Sequence, residues 1–182
     1  MICLKVIGFV SSPRKDGNTS KLVKSALDGA KKAGAETKLF QLSEMDIGDC
    51  KACMFCKAND GCAQKDDFQE IYKEICDADG IVFGSPIYFF DINAKARLVE
   101  DRLFAFTNAE MKSKLPKGKK AILITSQTTP DKNAFMNNLK VHETSMNMLG
   151  IEPVGILTTF SEMKDDSPEI EEAKKLGEKI AE

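Results

Sequence analysis

Apolar positions along this chain alternate between two periods. Ile2–Val10 is a near-continuous apolar run, the pattern of a strand buried on both faces. In Asn18–Ala33 the apolar residues Leu22, Val23, Ala26, Leu27 and Ala30 recur at helical spacing, and Gly34 supplies a stop. Glu36–Leu42 predicts a second strand. Ser43–Asp66 has neither period and predicts a long irregular stretch. Asp67–Cys76 predicts a short helix, with Phe68, Ile71, Tyr72 and Ile75 on one face. Gly80–Gly84 predicts a third strand, Ser85–Asp91 a loop punctuated by Pro86, and Ile92–Asn108 a helix. Lys120–Ser126 predicts a fourth strand. Asn133–Leu149 predicts a helix ended by Gly150, Ile151–Phe160 a fifth strand, and Pro168–Ala181 a closing helix with proline in its first turn.

Five buried strands alternating with helices predict an α/β fold: a parallel sheet with helices on both faces, in three layers. A length of 182 residues suits a single domain over residues 1–182, with an extended loop at about 43–66. Ligands of such sheets bind beyond the carboxyl ends of strands, at the point where strand order reverses. The loops after strands 1, 3 and 4 are therefore the places to look. The net charge of −2 implies no attraction to nucleic acid or to an acidic membrane surface. No apolar run approaches the roughly 20 residues of a membrane-spanning helix. Met1–Val10 lacks the basic flank and cleavage site of a signal peptide, so a cytoplasmic location is expected.

Strand 1 runs into Ser11-Ser12-Pro13-Arg14-Lys15-Asp16-Gly17-Asn18-Thr19-Ser20 and then into a helix. The free N–H groups and dipole of a helix N-terminus favour a phosphate. Ser11, Ser12, Thr19 and Ser20 can donate O–H bonds, Arg14 adds a fixed charge, and Gly17 permits close backbone approach. The loop matches neither the P-loop nor the GxGxxG pattern, and it provides for one phosphate, which suits a mononucleotide. The plainer alternative is a polar turn capped by Asn18 or Thr19. After strand 3, Pro86-Ile87-Tyr88-Phe89-Phe90 sets large apolar residues in a loop at the functional edge. They fit a flat aromatic cofactor or a subunit interface, or else fill local core.

Four of the six cysteines, Cys50, Cys53, Cys56 and Cys62, lie within thirteen residues, spaced x2, x2 and x5. Thiolates two residues apart can converge on one metal centre, and three at that spacing with a fourth nearby can build a compact [4Fe-4S] site. Zinc, or a metal-free redox-sensitive loop, are the alternatives. Cys3 and Cys76 read as small buried apolar side chains. His142, the single histidine, has no partner histidine for a metal motif and reads as a solvated or packed helix residue. Asp66–Asp67 reads as a helix N-terminus, Glu162–Glu182 as a solvated helix face, and Met136, Met146 and Met148 as packing.

Ser12-Pro13-Arg14 through Gly17-Asn18-Thr19, Ala78–Tyr88 and the later Asp101-Arg102 together resemble the NADPH-dependent FMN reductase family of the flavodoxin-like fold, over Ile2 to about Phe160. The resemblance implies strand order 2-1-3-4-5 and bound FMN. It implies that Ser11, Arg14, Asn18 and Thr19 hold the phosphate, and that Pro86, Ile87, Tyr88, Phe89 and Phe90 line the isoalloxazine. Ser126-Gln127-Thr128 would approach the other side, where family members often carry Gly-Gly. The cysteine spacing resembles that of the iron-sulfur flavoproteins, a branch of the same family. That implies one [4Fe-4S] cluster on Cys50, Cys53, Cys56 and Cys62, one FMN, and a homodimer or homotetramer. The implied activity is electron transfer between a one-electron donor such as ferredoxin and a small oxidant, with no classical catalytic residue. The alternative is an NAD(P)H-dependent FMN or quinone reductase whose cysteines are structural or bind zinc.

Overall fold

In the computed structural model, residues 4–160, 162–164 and 166–182 are described. The expected strand start at Ile2 and the Cys3 side chain lie outside them. The central sheet has order β2-β1-β3-β5-β6, all parallel, built from β1 (Lys5–Val10), β2 (Glu36–Gln41), β3 (Gly80–Tyr88), β5 (Lys120–Ser126) and β6 (Glu152–Thr159). This is the expected order with one addition: a sixth, two-residue strand, β4 (Asp91–Ile92), pairs antiparallel with β3.

The near-continuous apolar strands are explained by two separate cores, because successive side chains point to opposite faces. Val6, Val10, Val82, Ile122 and Ile124 face one side and pack with α1 (Asn18–Lys32) and α6 (Pro168–Ile180). Ile7, Phe9, Ile81, Phe83 and Leu123 face the other and pack with α3 (Phe68–Asp77), α4 (Ala94–Arg102) and α5 (Met136–Met148). Gly34, at φ +97°, ends the first helix in a conformation that glycine adopts without strain.

Three elements differ from the sequence expectation. β3 does not stop at Gly84 but continues through Pro86 to Tyr88, so the expected ring loop is a strand end and a tight hairpin. The reason is local. β1 pairs with β3 only as far as Gly84, and at Ser85 and Pro86 β3 pairs with β5 alone, Pro86 lying opposite Ser126. Proline is tolerated where one side of the ladder is missing. The helix expected over Ile92–Asn108 is α4 followed by a 3-10 turn at Leu103–Phe106. The irregular stretch holds a four-residue helix, α2 (Phe55–Ala58).

Candidate functional site

The carboxyl ends of β1, β3 and β5 open into a cleft of about 890 Å³, within the roughly 300–1,000 Å³ of small-ligand sites. Of the residues singled out from the sequence, Ser12, Arg14, Asn18, Thr19, Pro86, Ile87, Tyr88 and Ser126 line it. Ser11, Ser20, Phe89 and Phe90 do not. Ser11 is buried behind the wall, where its hydroxyl donates to the Gly84 carbonyl at 3.1 Å, and Ser20 is buried with an unpartnered hydroxyl. Phe89 is 95% exposed at the hairpin tip. Sequence reasoning did not single out Lys15, Asp16, Lys21, Phe160 or Glu162, which also line the cleft. The first three were within reach, since they lie in or beside the hydroxyl-rich loop. Phe160 and Glu162 are brought in by the end of β6.

The polar groups of the loop are not spent on capping. Gly17 occupies the N-cap of α1 without a side-chain hydrogen bond, and the first turn carries no acidic residue. The Asn18 amide oxygen accepts from the Met163 backbone N–H at 3.2 Å, and the Thr19 and Ser126 hydroxyls meet at 2.8 Å across the cleft floor. The positive end of the helix dipole thus faces the cleft beside Arg14, Lys15 and Lys21, a setting that favours an anion. Opposite stands Gln127, whose amide nitrogen donates to Thr129 and Asp131 carbonyls while its buried oxygen has no partner. An orphaned acceptor in the wall fits a ligand N–H. The donor set therefore suits a phosphate at one end and a polar-edged ring at the other.

A second, small cavity of about 20 Å³ is lined by Cys50, Cys53, Cys56 and Cys62, all free thiols, together with Arg102 and Phe104. The sulfurs share this cavity, yet among the described residues no three His, Cys, Asp or Glu side chains converge closely enough to hold a metal ion. The loop is firmly anchored. Arg102, 1% exposed, donates to the Gly48 carbonyl at 3.0 Å and to both oxygens of Asp66 at 2.8 and 3.0 Å, joining the two ends of the cysteine stretch. Asp66 is therefore half of a part-buried ion pair and not merely a helix start. Burial disfavours the charged guanidinium, but Asp66 and Cys62 outweigh it and raise the Arg102 pKa. Lys57 donates to the Phe104 and Thr107 carbonyls, and Lys114 to those of Cys56 and Asn59. Of these cations Arg102 lines the thiol cavity, as does Lys51, and positive charge beside thiols favours the thiolate form. Cys76 is half-buried against the core, and burial pushes its thiol up.

Comparison with known proteins agrees with the geometry. A family described as NADPH-dependent FMN reductase matches residues 4–162. An iron-sulfur flavoprotein of Methanocaldococcus jannaschii is 40% identical over 99 residues, 54% of this chain and 51% of that protein, so the match spans about half of that relative's length. An iron-sulfur flavoprotein of Archaeoglobus fulgidus is 28% identical over 98% of this chain and 80% of its own length. Two solved structures share the fold. An NAD(P)H:quinone oxidoreductase from Methanothermobacter marburgensis has a TM-score of 0.76 at 16% identity, covering 100% of this chain and 98% of that one. A flavodoxin from the domain Archaea has a TM-score of 0.61 at 15% identity, covering 98% and 96%. No helix among the described residues is long and apolar enough to cross a membrane.

Proposed function

The chain belongs to the NADPH-dependent FMN reductase family of flavin-dependent oxidoreductases, and from that premise we propose that it is a single-domain FMN protein with a [4Fe-4S] cluster, passing electrons between a one-electron donor such as ferredoxin and a small oxidant. The observation that carries this reading is the meeting of the Ser12–Thr19 loop and the Pro86–Tyr88 strand end in one cleft. Flavin supplies interchange between one- and two-electron steps, and a cluster handles one electron at a time.

In this reading Ser12, Arg14, Asn18 and Thr19 hold the phosphate, with the charge of Lys15 and Lys21 added. Ser11 and Ser20 support the loop from behind. Pro86, Ile87 and Tyr88 wall the ring on one side, and Ser126, Gln127 and Thr128 on the other. Cys50, Cys53, Cys56 and Cys62 hold the cluster, and Arg102 keeps their loop closed. The protein contributes orientation, charge and exclusion of water, and no side chain is assigned a proton-transfer role. A homodimer or homotetramer and a cytoplasmic location complete the proposal.

The second reading is an NAD(P)H-dependent FMN or quinone reductase whose cysteines are structural or bind zinc. The lack of convergence among the thiols favours it. Iron, acid-labile sulfide, zinc and FMN per chain, measured on protein purified without oxygen, separate the two. About four iron and four sulfide with one FMN are expected. FMN with zinc or no metal, and flavin bleached by NADPH but not by reduced ferredoxin, would establish the second reading. Absence of FMN under saturating flavin would sink both.

A further inference from the structure

His142, on α5, is 4% exposed, and each of its ring nitrogens faces a carboxylate oxygen at 2.7 Å: Nδ1 meets Glu100 Oε1 on α4, and Nε2 meets Asp91 Oδ1 on β4. A neutral imidazole has one N–H and can donate to one of them, whereas the imidazolium donates to both. Glu100 is held in turn by Arg97 at 2.5 Å and by the Ser145 hydroxyl at 3.0 Å. Glu143 neighbours the site on α5, and the residues contributed by β3, β5 and β6, such as Phe83, Leu123 and Pro153, are apolar.

Asp91 closes the β3–β4 hairpin, pairing with Tyr88 across a two-residue turn. The turn residues are Phe89 at φ +48° and Phe90 at φ +77°. Left-handed backbone at both central positions is a turn normally filled by Asn-Gly, so two phenylalanines here are strained and must be held from outside. The holding element is α5. Besides His142, Asn138 donates to the Phe90 carbonyl at 2.9 Å, and the Phe135 ring meets that of Phe90 edge-on at 5.8 Å between centroids. The same hairpin carries Ile87 and Tyr88 into the cleft wall.

We propose that His142 is a positioning residue of the flavin cleft, which as the imidazolium fastens the strained hairpin to α4 and α5 and thereby sets the Ile87–Tyr88 wall. The inference rests on the FMN reading of the cleft. Burial opposes the charge on His142, but the hydrogen bonds and charges of Glu100 and Asp91 outweigh it, so its pKa stands above the ordinary value. Burial likewise works against charge on Asp91 and Glu100, yet His142 holds both below the usual carboxylate range. The clasp is therefore complete at pH values between the carboxylate range and the raised imidazole pKa. It is lost as pH rises through that pKa, when one of the two hydrogen bonds must break.

The test is the dissociation constant of FMN against pH, from 6 to about 10, for the wild-type protein and for His142→Gln, which can hydrogen-bond but does not titrate. Flavin titrates identically with both proteins, so their difference isolates the histidine. Affinity of the wild type is expected to fall by about tenfold relative to the variant as pH rises through the imidazole pKa, the effect of losing roughly one hydrogen bond to a charged group. Asp91→Ala, which removes the acceptor on the hairpin side, is expected to bind weakly at the acid end and to flatten the profile. Amide exchange of Tyr88 and Asp91, the pair that closes the hairpin, corrected for intrinsic pH dependence, reads the clasp without flavin. Protection lost at high pH in the wild type but constant in His142→Gln supports the clasp even if FMN does not bind. Parallel profiles of wild type and His142→Gln in both measurements would overturn it.

Discussion

Arg102 shows how much a single residue decides here. Its guanidinium is buried, bridges Gly48 to Asp66, and lies 4.4 Å above the Phe68 ring. One nitrogen, Nε, has no partner and belongs to a side chain lining the thiol cavity. Breaking a buried pair by removing one partner leaves an uncompensated charge and costs about 3–5 kcal/mol. Arg102→Met is therefore expected to destabilise the protein in urea titrations, by less than that amount, because Asp66 is part-exposed and keeps the Gly48 and Phe68 backbone N–H donors. Asp66→Asn combined with Arg102→Met is expected to recover part of the loss, since neither charge is then stranded. Equal stability of the single and double variants would remove Arg102–Asp66 from the account of how the cysteine loop is held.

At the scale of elements, α1 and α6 approach each other closely because each offers a glycine. A Cβ at Gly29 would stand 2.0 Å from the Lys174 carbonyl oxygen, and one at Gly177 would stand 1.8 Å from that of Ala26. The two backbones touch, so side-chain repacking cannot absorb an added methyl, and the helices must separate. Gly177→Ala is expected to destabilise by at least the roughly 1–3 kcal/mol of overpacked cores, despite the better helix propensity of alanine. Thermal melts of Gly177→Ala and of Lys175→Ala, an exposed site on the same helix, make the comparison. Because α1 carries Asn18 and Thr19 at its other end, the same variant is expected to weaken FMN binding.

For the whole molecule, the cleft draws its walls from the ends of β1, β3, β5 and β6, so a ligand there joins segments far apart in sequence. Binding to the folded state alone stabilises by mass action, about 4.1 kcal/mol at 1,000 times the dissociation constant. FMN is expected to raise the melting temperature with a logarithmic dependence on its concentration, and Arg14→Ala to shift that curve to higher FMN. A melting temperature indifferent to FMN would contradict the cleft's assignment.

Strand and helix order was legible because parallel strands buried on both faces read as apolar runs, and because helices covering one face read at a period of 3.6. The hydroxyl-rich loop and the cysteine cluster were legible because each is contiguous, so its chemistry is written in neighbouring letters. Tertiary structure decided what depends on meetings across the chain. It extended β3 through Pro86, where the loss of β1 as a neighbour removes the objection to proline. It withdrew Phe89 and Phe90 from the cleft and turned them outward at the hairpin tip. It made Asp66 and Arg102 a clamp, and it gave the lone His142 two carboxylates from different elements. Partners 36, 42 and 51 residues apart leave no periodic trace in sequence, because a salt bridge is specified by folded geometry and not by spacing along the chain.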